Sequence, residues 1–560
     1  MCNEEKTMNP TLAIYGIQDR YNYVNPVFVH DHNLCLMQDG KIIHYLHLER
    51  YTRRKYDNKL HEVIEDLIDN KVFEITENVD LINVNSFVGD GFVSKNGRLR
   101  IDGCNTKELN TDFFSARAYF QKNKREGFEL STHILNHELA HVFSNLPFYG
   151  LFHDNSLLVH FDGGASLSNF SAFVFRNNQI ECIEYHWDMA HLSKFFNDNA
   201  LAFAIIGAKP SEHCAVPGKL MGYATLGNPK TEYRNWLREN NYFKDCWNDL
   251  AVFFQKANHD FGYTKTFIDQ HDGFIQDISS VFQYEFQEQV LDKILQLQQS
   301  TQTEYLYYAG GCALNIVTNT KIVDSKAFKD VFIPPCCSDS GLAMGAAAFA
   351  EWKKGNTIVK HTPYLNTIGI QNIEYQMDTE LIREVAKLLT TGKMVGVSNG
   401  YAEVGLRALG NRSIFALANS KDLAKQVSMV CKQREWYRPI APIMLEKNAK
   451  KVTGLSVIHH LSEYMLLDFD ILPEYKQQII GVVHQNNTSR IQTIFSRQQN
   501  PFVFDLLTYL DENFNIPALI NTSFNSKGEP IVQTLEQALY SAKSMKLDAV
   551  VLNYQLTILK

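Results

Sequence analysis

Asn136-His137-Glu138-Leu139-Ala140-His141 sets two histidines four residues apart among good helix formers. On a helix, positions i and i+4 share one face, so both imidazoles enter the same volume. The pair suits a divalent-metal site, a pocket wall or a helix face packed on the core. A metal site needs carboxylates from elsewhere in the chain. Two stand where apolar runs break into turns. Asp162 follows "SLLVHF" and precedes Gly163-Gly164. It reads as the cap of a tight turn, or as a carboxylate facing a ligand, with glycines that let a phosphate approach the backbone. Asp339, in "CCSDSGLAMGAAA", reads as a helix N-cap or as a second such carboxylate. Gly310-Gly311-Cys312-Ala313-Leu314-Asn315 is another glycine turn after the apolar run "EYLYYA", and its N–H groups can cradle a phosphate. Lys219 lies between Gly218 and Gly222 without the spacing of a P-loop.

A second group is basic. "EVGLRALGNRS" carries Arg407 and Arg412, "KQREWYRPIAP" carries Lys432, Arg434 and Arg438, and "TSRIQT" carries Arg490. "NTSFNSKGEP" adds Asn521, Thr522 and Ser523 after an apolar run. Guanidinium forks match phosphate oxygens bidentately, and amides and hydroxyls fill the remaining acceptors. Each Arg alone reads as a solvated surface charge. The apolar, glycine-rich flanks favour a pocket.

These residues need a scaffold of more than one core, because single cores stop growing near ~250–300 residues and the chain has 560. Apolar residues make up 45% and charged residues 21%, as in a soluble globular protein. The net charge of -8 comes without a basic stripe, which speaks against nucleic acid as a partner. No apolar run reaches the ~18 residues of a membrane span, and "MCNEEKTMNP" does not read as a secretory leader. Ten cysteines without a Cys-x-x-Cys spacing fit reduced thiols and a cytoplasmic protein. Strands are expected at 11–16, 33–38 and 41–47, the last two joined by an Asp39-Gly40 hairpin turn. Further strands are expected at 156–161, 304–309, 393–399, 478–484 and 517–521. Helices are expected at 60–68, from 136 to near Pro147, and at 276–300, 340–353, 379–391 and 501–514. Several strands thus end in glycine turns that lead to helices. That is the pattern of α/β domains with ligands at the carboxyl ends of the strands. Residues 354–376 read as a linker, and no internal repeat is visible. The division is 1–365 and 366–560.

With these pieces in order, the sequence resembles the O-carbamoyltransferases of antibiotic and nodulation-factor biosynthesis. The likeness runs through His30-Asp31, "ERYTRRKYD" (49–57), "NHELAH", "FDGG", "GKLMGYA", "GGCALN", "SDSGLAMGAA", "EVGLRALGNRS", "KQREWYRPIAP", "RIQT" and "NTSFNSKGEPIV". The resemblance implies an N-terminal actin-like domain akin to the tRNA threonylcarbamoyl transferase. It implies a C-terminal α/β domain akin to the enzyme that makes threonylcarbamoyl-adenylate. In such enzymes carbamoyl phosphate and ATP give carbamoyl-adenylate, and the carbamoyl group then passes to a hydroxyl or amine of a small molecule. Carried over, His137, His141, Asp162 and Asp339 hold a divalent metal (ferrous iron in the best-known relative), with Mg2+ accompanying ATP. Gly163, Gly164, Lys219, Gly310, Gly311 and Asn315 line the nucleotide. Arg407, Lys432, Arg438, Arg490, Asn521 and Ser523 take carbamoyl phosphate, and His30 is the general base.

The chain departs from the family pattern at Tyr401, where Arg is common, and at Leu406, where Pro is common. Asn486-Asn487 replace Asp-Gly, and His32 replaces a small residue. The competing readings are a tRNA threonylcarbamoyl transferase-like enzyme and a catalytically silent ligand-binding relative. The acceptor and the oligomeric state are not legible in the sequence. Metal analysis of purified protein tests the histidine pair. The His141→Ala variant is expected to lose about one bound divalent ion per chain, whereas equal metal content in variant and parent would show that the pair is only a helix face.

Overall fold

The computed structural model describes residues 9–17, 29–104, 106–197, 199–247 and 249–559. The first eight residues, read above for a leader, lie outside them. The strands β1 (Thr11–Tyr15), β2 (Asn33–Gln38) and β3 (Lys41–His47) form an antiparallel meander. The turn between β2 and β3 has Asp39 at φ 49° and Gly40 at φ 74°, the left-handed pair that a tight hairpin requires. On the other edge of β1, β4 (Asp80–Val84) and then β5 (Gly127–Leu135) add in parallel. The core order is therefore β3-β2-β1-β4-β5. A second sheet contains β6 (Ser156–Phe161), β7 (Phe170–Arg176), β8 (Gln179–His186), β9 (Tyr305–Ala309) and β10 (Asp330–Phe332). Its order is β8-β7-β6-β9-β10, again antiparallel on one side of the first strand and parallel on the other. The two sheets share one topology, that of the duplicated actin-like core. The repeat escapes the sequence because it lies in strand order and direction. The segments inserted between the strands differ in length and type, including a long helix, Gly273–Thr301, before β9.

Two helices fill the space between these sheets. The first, α1 (His137–Phe143), leaves β5 and packs on β6 and β9, with every residue buried. The second, α2 (Leu342–Lys353), packs on β1, β2 and β4. They cross closely: a Cβ on Gly345 would stand 1.7 Å from the Ala140 carbonyl oxygen, so only glycine fits. The α1 helix ends sooner than expected. Pro147 does not close it but sits in the first turn of a separate short helix, Leu146–Tyr149, where proline is tolerated.

The C-terminal unit holds a mixed sheet of β11 (Val395–Ser398), β12 (Arg412–Leu417), β13 (Ala441–Leu445), β14 (Gln492–Ile494), β15 (Leu519–Ser523), β16 (Ala549–Leu552) and β17 (Gln555–Ile558). Its order is β14-β13-β15-β12-β11-β16-β17. Helices Thr379–Thr390 and Pro501–Phe514 contribute to the core beneath it. The strand expected at 478–484 is absent; Lys476–Val482 is a kinked 3-10 segment. Only Ile479 and Val482 of its apolar run are buried, and so short a run has no period that separates strand from helix in the sequence. The Gly481 N–H donates to the Ala418 carbonyl at 2.8 Å, which holds the segment across a neighbouring loop. The expected linker is partly strand. Tyr364–Asn366 pairs with β3, and Ala402–Glu403 pairs with Tyr364–Asn366, so the first sheet runs past residue 365. Arg50 donates to the Gly405 carbonyl at 2.8 Å, and Arg53 to the carbonyls of Pro530 and Ile531 at 2.7 and 2.6 Å. The crossing of α1 and α2 sets an expectation. Gly345→Ala destabilises the protein by about 2–3 kcal/mol through overpacking, read as a lowered denaturant midpoint, and an unchanged midpoint would refute the close approach.

Candidate functional site

The ligand candidates converge at the strand ends between the two sheets. His137 Nε2 and His141 Nε2 stand 3.1 Å apart. Asp339 Oδ1 lies 3.5 Å from the first and 3.4 Å from the second, and Asp162 Oδ2 lies 3.4 Å from His141 Nε2. Around one ion with donor distances of about 2.0–2.2 Å, neighbouring ligand atoms stand roughly 2.8–3.6 Å apart. His137, His141 and Asp339 fit that geometry together, Asp162 approaches it through His141, and the N/O donor set suits a divalent transition metal. Burial alone would discharge His137, but the Asp339 carboxylate raises it above the usual imidazole range. Asp339 is in turn held well below the carboxylate range against burial by His137 and His141.

Local structure fixes each ligand. The His137 N–H donates to Asn85 Oδ1 at 3.1 Å and to Ser166 Oγ at 2.9 Å, which ties the start of α1 to the end of β4 and to the loop after β6. Glu138 is turned away from the centre and accepts from the N–H groups of Leu167 and Ser168 at 2.9 and 3.1 Å. Tyr15, at the end of β1, donates to Asp339 Oδ2 at 3.0 Å. Asn33 holds the same loop by donating to the Asp339 carbonyl at 2.9 Å and accepting from Ala343 N–H at 2.8 Å. His160 also belongs here. Its ring stacks on His141 at 5.1 Å, and burial together with His141 and His137 keeps it neutral. Sequence reading missed it, although a strand residue two before Asp162 shares its face.

Beside this centre, Asp31 accepts from His30 Nδ1 and His47 Nε2, both at 3.0 Å. Asp31 adopts φ 57°, an uncommon conformation for a residue with a side chain. Burial works against both charges, yet the pairing holds Asp31 low, and His30 is raised well above the usual range by Cys214 and Asp31. Cys214 was not foreseen. His30 outweighs burial there and brings the thiol down to about 7.

The basic group gathers in the C-terminal unit. Arg407 and Arg490 each have a buried Nε without a hydrogen-bond partner among the described residues. Burial and then Arg407, Arg434 and Arg438 push the Arg490 guanidinium well below its usual range. Burial and then Arg438 bring Arg434 down to about 9. Burial and like charge act together on these residues, as in a pocket shaped for an anion. Arg434, not among the expected donors, reaches Ser523 Oγ at 3.3 Å. Lys55, from the "ERYTRRKYD" segment, is lowered by burial and also by Arg438 and Arg434, so this N-terminal segment borders the pocket.

The sequence profile described as Carbamoyltransferase N-terminus matches residues 23–348, and that of the Carbamoyltransferase C-terminus matches residues 386–558. The chain belongs to the carbamoyltransferase family. It is 24% identical over 564 residues to nodulation protein NolNO of Sinorhizobium fredii, covering 94% of this chain and 78% of that one. Nodulation protein U of Azorhizobium caulinodans is 28% identical over 72% of this chain and 73% of its own. An uncharacterized protein of Methanocaldococcus jannaschii is 26% identical over 98% of this chain and its whole length. Among solved structures, full-length HypF in the phosphate- and nucleotide-bound form aligns over 63% of this chain and 57% of that one at 12% identity. Its TM-score of 0.33 is too low to carry an argument.

In this carbamoyltransferase the other predicted residues are placed unevenly. Gly163 faces open space, and Gly164 lies beside Trp187 and Phe87. Gly310 (φ 104°) lets β9 close against β6, since a Cβ there would meet the Phe161 carbonyl oxygen at 2.1 Å. The N–H groups of the glycine turn are already engaged. Gly310 donates to the Cys337 carbonyl at 2.8 Å and Gly311 to Asp162 Oδ2 at 2.6 Å. Asn315 caps a helix through the Thr318 N–H at 3.1 Å and pairs with Gln283. The Lys219 ammonium sits between Glu212 at 2.6 Å and Glu435 at 2.9 Å, where its charge is neutralised and joins the two units. Lys432 pins the 523–525 loop, donating to the Asn525 carbonyl at 2.8 Å and Oδ1 at 2.9 Å. Asn521 is held by the Ala408 carbonyl and Gln492, with its Oδ1 left unpartnered. Arg438 lies 3.6 Å from Glu435. Two departures have plain structural reasons. Asn487 takes φ 66° in the turn where the family has glycine, a conformation Asn tolerates. His32 is buried and bonded to the Ile17 carbonyl at 3.1 Å, and burial brings it to about 3. The cation cluster sets the expectation for this site. Inorganic phosphate raises the Tm of the parent by binding the folded state alone, and Arg490→Met removes most of that shift, whereas equal shifts in both proteins would place the anion elsewhere.

Proposed function

We propose that this carbamoyltransferase works in two steps at two sites, with ATP and carbamoyl phosphate as co-substrates. Among the basic residues of the C-terminal unit, water hydrolyses carbamoyl phosphate to carbamate and inorganic phosphate. The resulting carbamate attacks the α-phosphorus of ATP, pyrophosphate leaves and carbamoyl-adenylate forms. The observation that carries this reading is the cluster of Arg407, Arg434 and Arg490, which burial and the repulsion of neighbouring guanidiniums disfavour in the absence of an anion. A dianionic donor and a triphosphate supply the missing charge. Carbamoyl-adenylate is then used in the actin-like unit, where the hydroxyl or amine of a small-molecule acceptor attacks the carbonyl carbon and AMP leaves.

His30 is the base for that attack. With Asp31 ionised, His30 Nδ1 donates to the carboxylate. Because Cys214 and Asp31 raise His30 against burial, Nε2 must first give up its own proton before it can take the acceptor's, so transfer is expected to rise with pH through the raised His30 value. Its position next to the His137–His141–Asp162–Asp339 group supports this role, since the His30 charge acts on Asp339. Those four residues would hold a divalent metal, which when bound supplies Lewis-acid stabilisation of charge on phosphate and carbonyl oxygens. Tyr15, Asn33 and Glu138 position the ligands and the loops that carry them. Gly163, which faces open space, leaves room for nucleotide phosphate at the same cleft.

The two steps separate experimentally. Arg438→Ala should abolish carbamoyl-phosphate-dependent exchange of labelled pyrophosphate into ATP, yet still transfer the carbamoyl group from supplied carbamoyl-adenylate. His30→Asn should do the reverse. Exchange at the parent rate in Arg438→Ala would show that the basic cluster is not the adenylation site.

A further inference from the structure

A third histidine–carboxylate group stands apart from both sites. Asp330, on β10 of the actin-like unit, faces His459 and His460 of the C-terminal unit. His459 Nε2 and His460 Nε2 each lie 3.1 Å from the same oxygen, Asp330 Oδ1. The two imidazoles stack at 4.4 Å, and His460 is braced by Tyr149 at 5.6 Å and Phe332 at 5.4 Å. The three side chains are 21–35% exposed, so an ion can reach them from solvent. We propose that Asp330, His459 and His460 form a second divalent-cation site of zinc type, which clips the C-terminal unit to the actin-like unit.

The geometry supports this directly. Two imidazole nitrogens and a carboxylate oxygen are a common set for zinc, with water in the fourth position. Tetrahedral ligand atoms at about 2.0–2.1 Å from zinc stand roughly 3.3–3.4 Å apart, so the observed 3.1 Å separations need only a small expansion. Aromatic packing already fixes the His460 ring, which lowers the ordering cost of binding. Binding replaces the two imidazole Nε2 contacts to Asp330 Oδ1 with bonds to the ion, and at His459 it also gives up the 3.3 Å approach of the Leu461 N–H to Nδ1. The position explains why such a clip matters. Asp330 and Asp339 belong to one stretch of chain, and the helix Leu146–Tyr149 that braces His460 follows α1, so an ion there fixes the C-terminal unit against the segments that carry the first centre.

The test uses the full chain, stripped with a chelator, desalted and titrated with Zn2+ in competition with a chromophoric chelator. A His137→Ala/His141→Ala variant, which lacks the first centre, is expected to keep about one zinc per chain. Adding Asp330→Asn or His459→Gln/His460→Gln should abolish it. Co2+ in place of zinc should give the d–d absorption of a four-coordinate site that disappears with the same substitutions. If the first variant fails to fold, the loss of one zinc from the parent on His459→Gln/His460→Gln is read instead. Zinc binding that is absent from the His137→Ala/His141→Ala variant, or unchanged by the substitutions at 330, 459 and 460, overturns the proposal and leaves a plain hydrogen-bonded contact.

Discussion

The Ala140 carbonyl occupies the space where a side chain at position 345 would begin, and the arrangement of the actin-like unit depends on that contact. It lets α1, packed on the second sheet, cross α2, packed on the first, at backbone distance. His137 and His141 ride on one helix and Asp339 sits at the entry to the other, so their approach to 3.4–3.5 Å depends on the two helices meeting. Asp162 completes the group from the end of β6. Four side chains from three stretches of sequence thus converge without any one loop having to reach far. Elements packed on both sheets hold them more firmly than loops could.

The molecule keeps two desolvated sites of opposite character. Between the sheets, carboxylates and imidazoles compensate one another through direct contacts. In the C-terminal unit, cations lie together without carboxylates in equal number, and Glu435 is divided between Lys219 and Arg438. The first arrangement suits a cation and the second an anion. The segment 49–57 joins them physically. Its Arg50 and Arg53 donate to backbone carbonyls of the C-terminal unit, and Lys55 faces the cationic pocket while Tyr56 stacks edge-on against His30 at 6.2 Å. The strand pairing of Tyr364–Asn366 with β3 adds a backbone connection between the units.

Much of this was legible in the amino-acid order. The strands at 11–15, 33–38, 41–47 and 156–161 follow from apolar runs closed by turn residues, and the Asp39-Gly40 hairpin follows from the backbone freedom of those two residues. The i,i+4 spacing placed His137 and His141 on one face and the end of an apolar strand marked Asp162, whereas Asp339 stands not at a strand end but at the turn that opens a helix. The strand expected at 478–484 failed because its apolar run is too short to show a period, and the fold buries only Ile479 and Val482, three residues apart. The linker expected at 354–376 hid a strand because three residues are too few to show alternation.

By itself the sequence determined the class of chemistry, the residue types available for it and most elements that carry them, because local spacing and turn chemistry act between near neighbours. Only the tertiary structure decided which groups are free. It placed Lys219 between two carboxylates, gave the Gly311 N–H to Asp162 and made Asn315 a helix cap. It also brought His160, Cys214 and Arg434 to the sites and doubled one strand order that shares no visible sequence. The physical reason is that pairing and desolvation depend on groups distant in the chain. A charge or a donor is available to a ligand only when the fold has not already satisfied it.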